Sequence, residues 1–209
     1  GEGEEVFRNK FNHHGFQYIR LSHLPEAPEQ VTAYLVGTDF KDASSFESSD
    51  RDLNAIYSMI KYTFRPLAFS GYIVDCPQIE RMGYGGDGNA SCRSFQTLYD
   101  GAPLYQNWMK MWADCIREDG TLWSTHMNSF NHYAYGSVAD WIYGVAAGIQ
   151  VVEDAPGYAR VRIAPQPTDS LDWLEASIDT KRGLVSSRWT KADSSWRYEI
   201  ETPVEAEIV

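Results

Sequence analysis

Apolar and polar residues alternate at both ends of this chain and recur at helical spacing in its middle. Residues 16–21, Phe-Gln-Tyr-Ile-Arg-Leu, and residues 31–36 alternate on either side of a loop holding Pro25 and Pro28, which predicts two or more strands. From Asp50 the period changes. Leu53, Ile56, Tyr57, Ile60 and Phe64 fall on one helical face behind Ser48, Ser49 and Asp50 as capping residues, and Pro66 is expected to close the helix. Leu104, Trp108, Met111, Trp112 and Cys115 mark a second helical face ending near Gly120, and a shorter helix is expected before it at about 91–99. A third runs over 137–147, with Val138, Trp141, Ile142 and Val145 on one face and Gly148 as its stop. Short strands are then predicted at 158–163, 171–178, 183–190 and 195–201. The order is β, then α, then β, without internal repeat.

Composition narrows the classes. The 209 residues are 43% hydrophobic and 14% aromatic, with 7 Trp and 13 Tyr, which excludes disorder and suits an aromatic core or a carbohydrate-facing surface. A formal net charge of -11 would repel a phosphate backbone, so nucleic acid is not an expected partner. No stretch reaches the roughly 18 apolar residues that span a bilayer, so no membrane partner is expected and the chain reads as soluble. Cys76, Cys92 and Cys115 fit neither a disulfide framework nor a C-x-x-C zinc site, and free thiols are expected. Without a start methionine, and stopping within an alternating pattern, the chain reads as a piece of something longer whose compartment is not legible.

The densest chemistry is Asp75-Cys76-Pro77-Gln78-Ile79-Glu80-Arg81-Met82-Gly83-Tyr84-Gly85-Gly86-Asp87, where three carboxylates, an arginine and an aromatic share a glycine-rich segment. A carboxylic acid held protonated near neutral pH needs a neighbouring carboxylate or an apolar wall, and glycines let the backbone bring such groups together. A phosphate-binding loop is disfavoured, because Gly-Lys-Ser/Thr is absent and Asp87 would repel the ligand. An EF-hand starting at Asp87 would need a bidentate carboxylate where Leu98 stands. The histidines lack H-E-x-x-H spacing and no G-x-S-x-G elbow occurs. Two readings of the cluster remain open on spacing alone. In one it is a sugar-cleaving site. In the other Asp75 and Asp87 cap neighbouring helices and Glu80 pairs with Arg81.

Over these positions the segment resembles the signature of bacterial α-L-rhamnosidases of glycoside hydrolase family 78. The resemblance extends to 14–18, which is similar to the end of a preceding β-sandwich, and to Phe46-Glu47 and 53–57 at the start of the first helix. It extends further to 127–136 with Asp140-Trp141 in the last helix, and to 155–158 and 163–165 at the opening of a closing β-domain. It implies an α+β multidomain protein, a partial six-hairpin (α/α) toroid flanked by β-sandwich segments. Residues 1–47 would end the N-terminal sandwich, 48–148 form an incomplete toroid, and 149–209 form a truncated C-terminal sandwich. It also implies inverting hydrolysis of terminal α-L-rhamnosides. Glu80 would be the general acid, and Asp75 and Asp87 would hold sugar hydroxyls and tune Glu80. Arg81, Tyr84, Asn131 and His132 would shape the rhamnose subsite. No cofactor and no metal are implied. An alternative is a carbohydrate-binding remnant without turnover.

Two departures stand out. Ile79 occupies a position that is commonly arginine in the family. The toroid is also short: twelve helices of about 11 residues joined by loops of about 5 need on the order of 190 residues. Between Ser48 and Gly148 there are about 100. The glutamate that activates water in the family is expected to be missing with the middle hairpins, and Asp140 is the nearest carboxylate left in the last helix. An open set of helices leaves apolar faces uncovered, so self-association through them is expected.

Overall fold

The computed structural model describes residues 6–8, 13–74, 76, 83, 85–120 and 136–209. The first regular element is strand β1, Ser44–Ser48. Helix α1, Arg51–Leu67, begins behind Asp50, whose carboxylate accepts the Leu53 N–H at 2.9 Å and satisfies one of the orphan donors of a helix start. The helix continues through Pro66 rather than stopping before it. In the last turn a proline forfeits a single N–H bond, and the Ala68 N–H closes the end on the Phe64 carbonyl. Ile60, Phe64 and Leu67 are buried with Leu53 and Tyr57 packed beside them, while Ile56 faces outward.

A tight hairpin follows, β2 (Ala68–Phe69) and β3 (Tyr72–Ile73). Ser70 and Gly71 both have positive φ, as a two-residue turn matching strand twist requires. The Gly71 carbonyl accepts the Asn107 side-chain amide at 3.0 Å, which ties the hairpin to the next helices. These are α2, Gly85–Leu98, and α3, Ala102–Asp114. The buried face of α3 is Leu104 and Trp108 with Tyr105 and Trp112 half-buried; Met111 and Cys115, expected on that face, are exposed. Cys76 is buried and Cys92 half-buried, and all three thiols are free. Helix α4, Val138–Trp141, passes into a π turn over Ile142–Ala146.

Phe40, Phe64, Phe95, Tyr99 and Tyr105 form an aromatic cluster between α1, α2 and α3, with ring centroids 5.1 to 5.9 Å apart. Such edge-on and tilted contacts contribute beyond area burial.

The sheets account for the rest. Strands β6 (Trp173–Thr180), β7 (Gly183–Ala192) and β8 (Ser195–Glu201) form an antiparallel meander, and β1 adds to its free edge on β6, with Ser44 opposite Ile178. Leu174, Ala176, Ile178, Val185, Ser187 and Trp189 point into the core, alternating with exposed residues as a half-buried sheet demands. A second sheet has β5 (Val161–Ile163) between antiparallel β4 (Ile149–Val151) and parallel β9 (Ala206–Ile208). Helix and sheet are joined at the π turn: Trp189 Nε1 donates to the Ala146 carbonyl at 3.0 Å and Ser187 Oγ to the Ala147 carbonyl at 2.7 Å. Carbonyls at a helix end without an onward partner are thereby satisfied from the sheet. Gly148 stops the helix at φ 75° as expected, with Pro165 so close that no side chain would fit.

The strands expected at 16–21 and 31–36 do not form; residues 13–41 contain no strand. Alternation supplies the propensity, but a strand also needs a paired edge, and none meets these segments among the described residues. Their side chains, Phe16, Tyr18, Tyr34 and Leu35 among them, are exposed.

Candidate functional site at the start of α2

The acidic segment leaves the β2–β3 hairpin and enters α2. Val74 donates its N–H to the Leu67 carbonyl at 2.7 Å, and Val74 and Cys76 are both buried. Asp75, Glu80, Arg81 and Tyr84 lie outside the described residues, as do Asn131 and His132. Of the expected site residues, Asp87 is described. It sits in the first turn of α2 and is only 3% exposed. A carboxylate there is favoured by the partial positive charge of the helix N-terminus.

What positions Asp87 is a layer of indoles and glycines. A Cβ on Gly85 would overlap the Trp112 ring at Cη2, and one on Gly88 would overlap the Trp108 ring at Cη2. Gly83 stands in a similar relation to Tyr72, with 2.7 Å to Cδ2. Trp108 and Trp112 meet edge to face with centroids 5.6 Å apart. The glycines therefore let the first turn of α2 seat directly on the α3 indoles, a second role beside the freedom read from the sequence. The two tryptophans are the residues sequence reasoning placed on a helix face without linking them to the site. The spacing of Gly85 and Gly88, one helical turn apart, is the signal that could have linked them.

Two turns along, Ser94 docks α2 on α4: its Oγ donates to the Ser137 carbonyl and accepts the Asp140 N–H, both at 3.0 Å. Arg93 reaches Asp140 at 3.5 Å. Asp140, the carboxylate noted in the last helix, thus sits about half exposed in an ion pair, at a helix junction. Tyr158, at φ 56°, packs on the same junction. Burial pushes its hydroxyl above the usual phenol range, a hydrogen bond with Thr97 pulls it back, and the Asp140 charge adds to the rise. Among the described residues no group of three or more His, Cys, Asp or Glu could hold a metal ion, and no helix is long and apolar enough to cross a membrane.

The site's surroundings match a known family. Residues 41–125 match the bacterial alpha-L-rhamnosidase 6 hairpin glycosidase domain, and residues 148–209 match the bacterial alpha-L-rhamnosidase C-terminal domain. An alpha-L-rhamnosidase of Formosa agariphila is 33% identical over 112 residues, covering 53% of this chain and 12% of that protein. One of Streptomyces avermitilis is 41% identical over 91 residues, covering 43% of this chain and 9% of that protein. The matched part is therefore about a tenth of the length of these curated relatives. Among solved structures, the alpha-L-rhamnosidase from Dictyoglumus thermophilum superposes with a TM-score of 0.73 at 14% identity, covering 82% of this chain and 45% of that one. The alfa-L-rhamnosidase from Aspergillus terreus gives 0.68 at 12% identity, covering 83% and 48%. At such identities the likeness is one of fold, and it spans helices and sheets together. Helical and β portions each matched in their proper order place the chain in the bacterial α-L-rhamnosidase family, with sequence from both its six-hairpin glycosidase domain and its C-terminal domain.

Proposed function

We propose that this chain recognises terminal α-L-rhamnosides at the start of α2 and hydrolyses them with inversion. The observation that carries the reading is Asp87: a carboxylate buried at the first turn of a helix that closes an acidic, glycine-rich segment, in a chain of this family. In this reading Glu80 protonates the glycosidic oxygen, while Asp75 and Asp87 hold sugar hydroxyls and keep Glu80 protonated until it acts. Arg81, Tyr84, Asn131 and His132 line the subsite. An inverting reaction also needs an ionised carboxylate about 6.5–9.5 Å from the acid to activate water.

The length of the helical part favours a second reading, in which the chain binds rhamnose without turning it over. Among the described residues, three helices of 17, 14 and 13 residues and the short α4 stand where a six-hairpin domain has twelve. Release of chromophore from an aryl α-L-rhamnoside, with Glu80→Gln beside it, separates the two. Turnover lost in Glu80→Gln with rhamnose affinity retained supports hydrolysis. A folded chain that binds rhamnose and releases no chromophore supports the binding reading. Absence of any rhamnose affinity refutes both.

Ile56, Met59 and Tyr62 of α1 and Met109 and Met111 of α3 remain exposed, which supports the self-association expected of an open helical set. Sedimentation velocity over a concentration series tests it; a monomer at every concentration would refute it.

A further inference from the structure

The two outer edges of the four-stranded sheet are treated differently. On β1, side chains of α1 occupy the backbone: Tyr57 Oη donates to the Ser44 carbonyl at 3.4 Å, and Asn54 bonds the Ser48 N–H at 2.9 Å and the Ser48 carbonyl at 2.8 Å. Beyond β8, among the described residues, there is no further strand. The two-residue turn at Asp193 and Ser194 closes on the pair Ala192 and Ser195. The pair flanking such a turn exchanges hydrogen bonds, so Arg197 and Glu199 also bond β7, while Trp196, Tyr198 and Ile200 turn their N–H and carbonyl groups outward. A row of this kind is a template for another strand.

Charge selects the strand that fits. Glu175 of β6 stands opposite Arg188 of β7 with 3.4 Å between their charged groups, and Arg188 stands opposite Glu199 of β8. The exposed face therefore runs negative, positive, negative across the sheet, and a positive residue opposite Glu199 would continue it. A second β8 supplies one. Laid antiparallel about a two-fold axis at Tyr198, which is 45% exposed, Glu199 of each copy faces Arg197 of the other, Trp196 faces Ile200, and Tyr198 faces itself. An axis at Arg197 or at Glu199 would set like charges directly opposite, which destabilises a pair of strands. The axis at Tyr198 also overlaps all seven residues of both strands, Ser195–Glu201. We infer that the outer edge of β8 is a self-pairing surface, which joins the sheets of two copies of this chain into one, with Arg197 and Glu199 setting the register. So short an edge buries less than the roughly 1,000 Å² of a durable interface, and the pair is a weak one, populated at about 100 µM and above.

The test is sedimentation velocity of the whole chain over about 10–500 µM, beside Arg197→Glu, Glu199→Arg and an equal mixture of the two variants, with melting temperatures for each. Both positions are exposed, so each variant should melt within about 2 °C of the parent. The parent should dimerise. Each variant alone sets like charges opposite one another twice and should self-associate about tenfold or more weakly. The mixture restores a glutamate opposite an arginine at both places, and its dimer should return to within about twofold of the parent's affinity. Chains that cannot fold would not recover on mixing, so recovery reports the pairing itself. A parent that stays monomeric throughout would overturn the inference. Variants that associate as the parent does would overturn it too and assign association to another surface, such as the exposed helix faces. Folded variants that remain monomers when mixed would also overturn it.

Discussion

Gly88 of α2 lies so close to Trp108 of α3 that a Cβ on the glycine would overlap the indole at Cη2. The contact sets the spacing of the two helices where the acidic segment ends. Trp108 is 3% exposed and cannot swing into solvent without vacating a core position.

Gly88→Ala is therefore expected to destabilise the chain by about 1–3 kcal/mol, the usual cost of forcing extra atoms into a packed interior. Urea unfolding measures it, with Gly86→Ala as the control outside the contact. Equal midpoints for the two variants would show that α2 and α3 do not pack through this pair.

The bonds from β7 to the π turn make the helical and β parts one cooperative unit. Ser187→Ala leaves the buried Ala147 carbonyl without its donor, at a cost of about 1–3 kcal/mol. The expected result is a single transition, shifted equally by tryptophan fluorescence and by far-ultraviolet dichroism. Two separated transitions in the parent chain would contradict the coupling.

Strand β1 precedes the first helix yet completes the sheet formed by β6, β7 and β8. It is fastened from both ends: Asp179 donates its N–H to the Ala43 carbonyl at 2.6 Å, and Ser49 Oγ accepts the N–H groups of Asp172 and Trp173 at 2.7 and 3.2 Å. Residues 148–209 expressed alone would carry β6 as an unpaired edge, and unpaired edges recruit other strands. Size-exclusion chromatography should show them as oligomers, and adding a synthetic peptide that covers 41–50 should restore the monomer. A monodisperse, cooperatively melting 148–209 would count against this role of β1.

Alkaline pH offers a separate handle. Burial pushes the Tyr99 hydroxyl from 10.0 up to about 12, offset in part by the Arg65 guanidinium, and pushes Tyr143 higher still. The folded state holds these protons where the unfolded chain has released them, so the unfolded state binds fewer protons above pH 10. The contribution is complete below the unfolded value near 10 and is lost as pH rises toward about 12. Stability is expected to fall through that window, and Tyr99→Phe should flatten the fall. An unchanged slope in Tyr99→Phe would show that the hydroxyl is not the group responsible.

Much of the architecture is written in local period. Leu53, Tyr57, Ile60 and Phe64 announce α1, and the alternation over 171–201 announces β6, β7 and β8 within a few residues of their observed bounds. Of the candidate site, the acidic segment could be read from residue types, while the burial of Asp87 in the first turn of α2 could not. The tryptophans under it were read only as a helix stripe, because the sequence does not say which helix a stripe will meet. Met111 and Cys115 illustrate the limit from the other side, since they share the period of Trp108 and still face outward.

By itself, then, the sequence determined the helical and strand periods, the residue types gathered in the acidic segment and the family, because each depends on residues near one another along the chain. Tertiary structure alone decided that Ser44 would lie opposite Ile178, that alternating residues 16–21 would find no edge to pair with, and which glycines answer to indoles. Strand pairing and close packing are contacts between distant segments. Their free energy arises only when both partners are brought together, so neither partner's local pattern can specify them.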